Sequence, residues 1–136
     1  MWAAAPVWTI IALSGCGSPA ALPPDLFPAT AAGVWHRTAT WELTESQAPD
    51  PVPRNEIERI AAASYDGPGR IEARVYALHT PEVGVTLAQR WRPSSDTVFF
   101  NSGRCFVVLK WQAADRKALQ EFVRGLEGRL AAAKPR

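Results

Sequence analysis

The sequence predicts an α+β domain, with a largely antiparallel sheet of about four strands and helices packed mainly on one face of that sheet. Three observations lead to this fold class. Strand-like and helix-like patterns follow the order β-α-β-α-β-β-α. Two late apolar runs around Asn101-Ser102-Gly103 predict a β-hairpin, whose strands are necessarily antiparallel. A chain of 136 residues with 47% hydrophobic and 21% charged residues is typical of one globular domain.

The first predicted elements are a strand and a short helix. Residues 34–44, VWHRTATWELT, are rich in Thr, Val and Trp and favour a strand or a strand pair. After a proline-rich break, residues 54–64, RNEIERIAAAS, begin with an Asn and a Glu at capping-box spacing. Because Ile57 and Ile60 are spaced to share one helical face, this segment predicts a helix.

The middle of the chain contains the clearest strand, residues 71–79, in which alternate residues point to opposite sides. The following segment, residues 80–91, predicts a second helix. Thr80 is suited to be its N-cap and Pro81 its first residue.

The hairpin and a final helix complete the domain. The hairpin has strands at 97–100 and 104–111, and residues 105–109 are apolar on both faces. We therefore expect this strand inside the sheet, with at least part of both faces covered. Asp115 is suited to cap the last helix, whose apolar residues keep helical spacing. They are Leu119, Phe122, Val123, Leu126 and Leu130.

The N-terminal segment predicts a lipid anchor. The apolar stretch from Trp2 to Leu13 has the length of a signal-peptide core and is too short for a membrane-spanning helix. Leu13-Ser14-Gly15-Cys16 resembles the bacterial lipobox, in which the cysteine is acylated on sulfur and the chain is cut just before it. A cleaved secretory signal is the alternative, and no Lys or Arg precedes the apolar stretch.

These features divide the chain into three parts. Residues 1–15 form a lipoprotein signal peptide, residues 16–30 a lipidated cysteine with a proline-rich tether, and residues 31–136 a single α+β domain. Leu26 and Phe27, near the end of the tether, are candidates to dock on the domain. The protein is then exported and lipid-anchored, and faces the periplasm or the exterior.

The sequence contains few candidates for catalysis. With Cys16 lipidated, Cys105 remains as a single thiol in an apolar run, where a buried structural role is expected. His36 and His79 lack the spacing of a metal site, and no phosphate loop or nucleophile elbow occurs. We therefore expect no cofactor, no metal and no enzymatic activity. A catalytic group of His36, His79 and Cys105 is the enzyme hypothesis to test.

The best candidate interface is Arg90-Trp91-Arg92, because arginine and tryptophan together are favoured at binding hot spots. A helix end whose arginines offset the helix dipole is the alternative. The net charge of +2 is spread over interleaved positive and negative residues, which does not favour nucleic-acid binding.

Five motifs follow one another along the chain: FPATAAGVW, AAASYDGPGRIEARVYAL, AQRWRP, VFFNSGRCFVVLKW and ALQEFVRGLEGRL. Their order resembles an uncharacterised family, a domain of unknown function in small bacterial lipoproteins and exported proteins. The resemblance implies an exported, anchored domain and transfers no activity or site residue. We expect a non-enzymatic envelope module that binds a protein partner, with a small-molecule or lipid-binding module as the alternative.

Overall fold

The computed structural model describes residues 22–49, 52–92 and 94–132. The predicted signal peptide, the lipobox (Leu13, Ser14 and Gly15) and Cys16 lie outside these residues. The elements are β1 (Thr30–Ala31), β2 (Trp35–Leu43), β3 (Ile57–Gly67), β4 (Gly69–Leu78), α1 (Pro81–Arg90), β5 (Thr97–Ser102), β6 (Cys105–Gln112) and α2 (Arg116–Ala132). Short 3₁₀ turns at Glu45–Gln47 and Arg54–Glu56 lie between β2 and β3.

The strands form one curled antiparallel sheet in the order β1-β2-β3-β4-β6-β5. The α+β class and the antiparallel pairing predicted from the sequence are confirmed. The predicted number of strands and the predicted order of elements were wrong. The described residues contain six strands, arranged along the chain as β-β-β-β-α-β-β-α.

The main error was the helix predicted over residues 54–64, because most of this segment is the strand β3. The pairing of β3 with β4 shifts in register between Ile57 and Arg59, so that Glu58 is an extra residue in a β-bulge. The bulge places Ile57 and Ile60 in the same core cluster although they are three residues apart. In the sequence, that spacing is indistinguishable from one turn of an amphipathic helix.

The helices lie on opposite faces of the sheet, so the prediction that they pack mainly on one face was also wrong. On the face covered by α2, here called the α2 face, Val107 and Leu109 of β6 pack against Phe122. On the other face, the α1 face, Phe106 and Val108 of β6 pack with helix α1. Strand β6 therefore lies inside the sheet with both faces covered, as its apolar sequence predicts.

The β3–β4 turn needs glycine at a close approach of two chain segments. Gly67 and Gly69 pair across the single residue Pro68, and Gly69 has a φ of +123°. A Cβ atom at Gly69 would lie 2.6 Å from Cα of Ala114, just before α2. The turn is thereby packed directly against the β6–α2 connection, and the backbone amide of Asp115 donates to the Pro68 carbonyl at 2.9 Å.

We expect Gly69→Ala to lower the free energy of unfolding by about 2 kcal/mol or more, because both the positive φ and the contact with Ala114 oppose a side chain. Gly128→Ala is the matched control. Gly128 lies in α2 with open space around it, so the added methyl should stabilise the protein by about 0.5–1 kcal/mol. Urea unfolding of both variants checks this, and equal effects of the two substitutions would contradict it.

Candidate functional site

The chain that follows the predicted anchor is held on the domain by a set of three hydrogen bonds, here called the carbonyl clamp. Three consecutive backbone carbonyls each accept a hydrogen bond from a side chain of a different element, namely α2, β2 and β3. The bonds run from Arg129 Nε to the Leu26 carbonyl at 3.0 Å, from an Arg37 guanidinium nitrogen to the Phe27 carbonyl at 2.6 Å, and from the Tyr65 hydroxyl to the Pro28 carbonyl at 2.8 Å. Charged donors make two of these bonds, which strengthens them.

Apolar packing reinforces the clamp. Leu26 and Phe27 are 4% and 8% exposed and belong to the core of the α2 face, so their expected docking is confirmed. Tyr65 packs edge-on against Phe122 of α2 with ring centroids 4.9 Å apart. Trp35 donates its indole N–H to the Ala118 carbonyl at 3.0 Å, which ties β2 to the same helix. The segment from Leu22 onward is thus part of the folded domain.

This docking shortens the part of the predicted tether that can separate the domain from a membrane. The tether predicted over residues 16–30 is packed on the domain from Leu22, which belongs to the margin of the α2-face core. Five residues separate Cys16 from Leu22, and the six peptide units that join them span at most about 20 Å. If Cys16 carries a lipid as predicted, Leu22 lies within about 20 Å of the lipid-bearing residue.

A groove of about 450 Å³ runs between the docked segment and strands β2 and β3. Arg37, Glu42 and Arg59 are the charged residues that line it, and Arg59 forms an ion pair with Glu42. Both members of that pair are more than half exposed, so the pair contributes little to stability. The groove is open to solvent, and its lining carries both positive and negative side chains. It lies beside the segment that follows the predicted anchor.

The predicted interface Arg90-Trp91-Arg92 lies at the end of α1. Trp91 is half-buried, and its ring centroid lies 5.2 Å from that of Phe106 and 6.3 Å from that of Phe99. Arg90 and Arg92 are exposed on either side of it. Trp91 is therefore mainly a core residue of the α1 face, and only its outer part is available to a partner.

That outer part of Trp91 lines a narrow cleft of about 180 Å³ on the α1 face. Tyr76 and Val108 form its floor, and the other lining residues are Pro49, Glu72, Arg74 and Lys110. Arg74 is hydrogen-bonded to Glu72 at 3.1 Å, whereas the charge of Lys110 interacts with Asp96 outside the cleft. Burial raises the pKa of Tyr76, and this effect outweighs the opposing effect of the neighbouring Arg74. Because the pKa of the phenol is raised, it stays protonated at neutral pH.

The structure places His79 at the same end of the sheet as Cys105 but His36 at the opposite end. His36 is in register with Asp66 and through it with Arg70, whereas Cys105 pairs with Ala77, seven residues further along β4. Seven residues of strand correspond to about 23 Å, which is far beyond hydrogen-bond reach. The proposed catalytic group is therefore not formed.

The histidines have ordinary surroundings. His79 Nδ1 lies 2.9 Å from Oε1 of Glu58 at the exposed end of β4, and His36 is exposed on β2. Among the residues that the structure describes, no three His, Cys, Asp or Glu side chains are grouped as metal ligands. The same residues include no helix that is long and apolar enough to cross a membrane.

Sequence reasoning missed the residues of the carbonyl clamp. The segment YDGPGR, which includes Tyr65, predicts a turn, and the sequence patterns single out neither Arg37 nor Arg129. Their partners are backbone carbonyls, which every residue has, so no motif marks them. A weak signal was available in Leu26 and Phe27, since two large apolar residues in a proline-rich stretch indicate docking on a core.

Compared with protein-family models, with curated proteins and with solved structures, the chain matches none of them. The resemblance to a family of small bacterial lipoproteins thus stays a prediction from the sequence motifs. The site must be interpreted from its own geometry.

Tyr65 should make the free energy of unfolding depend on pH in the alkaline range. Burial raises its pKa from 10.0 to about 12, since desolvation outweighs the nearby Arg129 and Arg37. The unfolded chain loses the phenol proton at a lower pH than the folded chain does. The contribution of Tyr65 to the free energy of unfolding is therefore fully present below pH 10 and is lost as the pH rises towards 12. The two-unit difference corresponds to about 2–3 kcal/mol.

Urea unfolding between pH 9 and pH 12 checks this prediction by comparing the protein with its Tyr65→Phe variant. The variant should be less stable by about 1 kcal/mol at pH 8, because the Pro28 carbonyl loses its donor. Its stability should fall less steeply above pH 10. Parallel curves for the two proteins throughout this range would contradict the assignment.

Cys105 should be almost unreactive in the folded protein. It is 8% exposed, and burial raises the pKa of its thiol to about 11. The thiolate fraction at pH 8 is then roughly a hundredfold lower than in the unfolded chain. Alkylation of a Cys16→Ser protein by iodoacetamide, followed by mass spectrometry with and without urea, measures the ratio; equal rates would contradict it.

Proposed function

We propose that this protein is a lipid-anchored protein of the bacterial cell envelope, and that its domain is a non-enzymatic module that binds another protein. The signal over residues 1–15, the lipobox ending at Cys16 and the resemblance to small bacterial lipoproteins support the anchoring. The carbonyl clamp is the observation that supports it from the folded domain.

The carbonyl clamp limits how far the domain can move from a lipid on Cys16. Arg37, Tyr65 and Arg129 hold the backbone at residues 26–28, ten to twelve positions after Cys16. A domain that only needed to be retained in the envelope could remain on a long tether. Here the donors from three elements fix the exit of the chain, so a lipid at Cys16 would set both the distance of the domain from the bilayer and the face turned towards it.

The surface chemistry of the domain supports a binding role. Several charged side chains are already paired with each other, as in Glu42–Arg59, Asp66–Arg70 and Glu72–Arg74. Apolar side chains instead reach the surface at Trp91 and along β5. Partly exposed aromatic residues beside exposed arginines are typical of protein interfaces.

A small-molecule or lipid-binding module is the second candidate, and the cleft beneath Trp91 is the observation in its favour. Its volume of about 180 Å³ is smaller than the roughly 300–1,000 Å³ typical of ligand pockets. The cleft fits a single side chain of a partner better than a lipid or a cofactor. Native mass spectrometry of the Cys16→Ser protein separates the two candidates, since a retained ligand mass would favour the second.

Cys16→Ser should release the protein from membranes, because the sulfur that carries the lipid is lost. Two or more acyl chains are needed for stable attachment, so the loss should be almost complete. Fractionation of cells and the mass of the purified chain measure both attachment and cleavage.

Cys105→Ala is the matched control for that experiment, since it removes the other cysteine from the buried core. This variant should remain in the membrane fraction with the mass of a lipidated protein. A Cys16→Ser protein that stays in the membrane fraction with an unchanged mass would overturn the proposed anchoring.

A further inference from the structure

From Val98 to Ser102, strand β5 is an uncovered edge of the sheet, whereas its first residue, Thr97, forms a bridge with Ser94. It is the last strand in the sheet order, and β6 is its one partner among the strands that the structure describes. Its six residues, TVFFNS, contain no charged residue and no proline, although natural edge strands commonly use both to prevent pairing with another chain. The opposite edge is blunted, because β1 covers the start of β2 and a bulge at Thr38 follows.

The register shows which backbone groups of β5 point outward. Ser102 and Cys105 flank the two-residue loop of the hairpin, so they form a hydrogen-bonded pair. The Trp111 amide donates to the Asp96 carbonyl at 2.9 Å, six residues before Ser102, which agrees with hydrogen bonding at every second residue of β5. Even-numbered residues of β5 therefore bond to β6, and the N–H and C=O groups of Phe99 and Asn101 point away from the sheet.

The side chains of β5 repeat symmetrically about Phe99. Reading outward, Val98 and Phe100 are apolar and face α2, whereas Thr97 and Asn101 are polar. An antiparallel copy centred on Phe99 would thus place apolar residues opposite apolar ones and polar residues opposite polar ones. It would also match outward-pointing backbone groups with each other, which a shift by one residue would prevent.

We propose that β5 pairs with β5 of a second copy of this chain, antiparallel and centred on Phe99, to form one continuous twelve-stranded sheet. Phe99 pairs with its own counterpart, and Thr97 pairs with Asn101 of the other copy. Because the Thr97 amide already donates to the Ser94 carbonyl at 3.3 Å, only its carbonyl takes part at that end. Such an interface is isologous, as in most homodimers.

The position of the predicted anchor supports a second copy as the occupant, and this step rests on the proposed function. Two antiparallel edge strands are related by a two-fold axis perpendicular to the sheet, so both copies turn the same face in the same direction. Leu22 lies at the margin of the α2-face core, six residues from Cys16. Both lipids of the dimer would therefore point towards one membrane.

The surface beside β5 adds apolar area to this interface. A groove of about 680 Å³ lies between α2 and the strands β5 and β6. Val98, Trp111 and Val123 are half-buried in its lining, and Arg116 and Glu127 are among its charged residues. In the dimer the two grooves lie side by side across the axis. Attachment to one membrane raises the effective concentration of the two copies, which favours an interface of this modest length.

Cross-linking in membranes tests the pairing and its register. Two full-length variants, Thr97→Cys and Asn101→Cys, are produced with different tags, separately and together, and treated with a short bifunctional thiol reagent. The proposal expects a cross-linked dimer when the two variants are mixed. No cross-linked dimer should form when either variant is produced alone, because the two identical cysteines are then offset by about 13 Å along the strands. The unsubstituted protein controls for Cys105.

A matched pair of second substitutions keeps the test independent of folding. In the Thr97→Cys copy, Asn101→Pro removes an outward N–H that β6 does not use, and Asn101→Ala retains it. The proline should reduce the mixed cross-link, whereas the alanine should preserve it. Unchanged Cys105 protection in both variants shows that the domain is folded.

The cross-linking yields of these variants support or overturn the β5–β5 pairing. No mixed cross-link, an equal yield from the single variants, or equal yields from the proline and alanine variants would overturn the pairing and leave the edge to a different protein. A register-specific cross-link supports the pairing even if Cys16→Ser leaves the membrane attachment unchanged. Failure of the anchor and failure of the dimer are thus distinguished.

Discussion

Burial of the central strands on both faces is the constraint on which the rest of this structure depends. In β6, successive residues such as Phe106 and Val107 point to opposite sides of the sheet, and both are fully buried. Neither face can therefore remain in contact with water. In the described part of the chain, one α-helix precedes β5 and one follows β6, and each covers one face. The sheet becomes the middle layer of the domain.

A sheet in the middle layer leaves its two edges as the places where the chain can make further contacts. At one side, the segment containing Leu26 and Phe27 docks beside α2 and is fixed by the carbonyl clamp. At the other, β5 ends the sheet with unpaired backbone groups and no charged side chain. The proposed anchor and the proposed dimer thus use different edges of one sheet, so neither need obstruct the other.

Local patterns were sufficient for elements whose contacts are close in sequence. The hairpin β5–β6, strand β4 and both α-helices were predicted, and Asp115 caps α2 through its carboxylate to the Ala118 amide at 3.0 Å. The hairpin loop is shorter than predicted, with Gly103 at a φ of +57°. Strand β3 was predicted as a helix because its bulge at Glu58 disrupts the two-residue alternation, and only pairing with β4 reveals the bulge.

The sequence by itself determined the class of the domain, the burial of β6 and the hypothesis of an anchor at Cys16, because apolar spacing and the lipobox are local in the chain. The tertiary structure decided which face each helix covers and how the N-terminal segment docks. Arg129 and Leu26 are 103 residues apart in the chain, and their hydrogen bond exists only once α2 has packed on the sheet. Interactions between a side chain and a distant carbonyl have no sequence pattern, since the acceptor is the same at every residue.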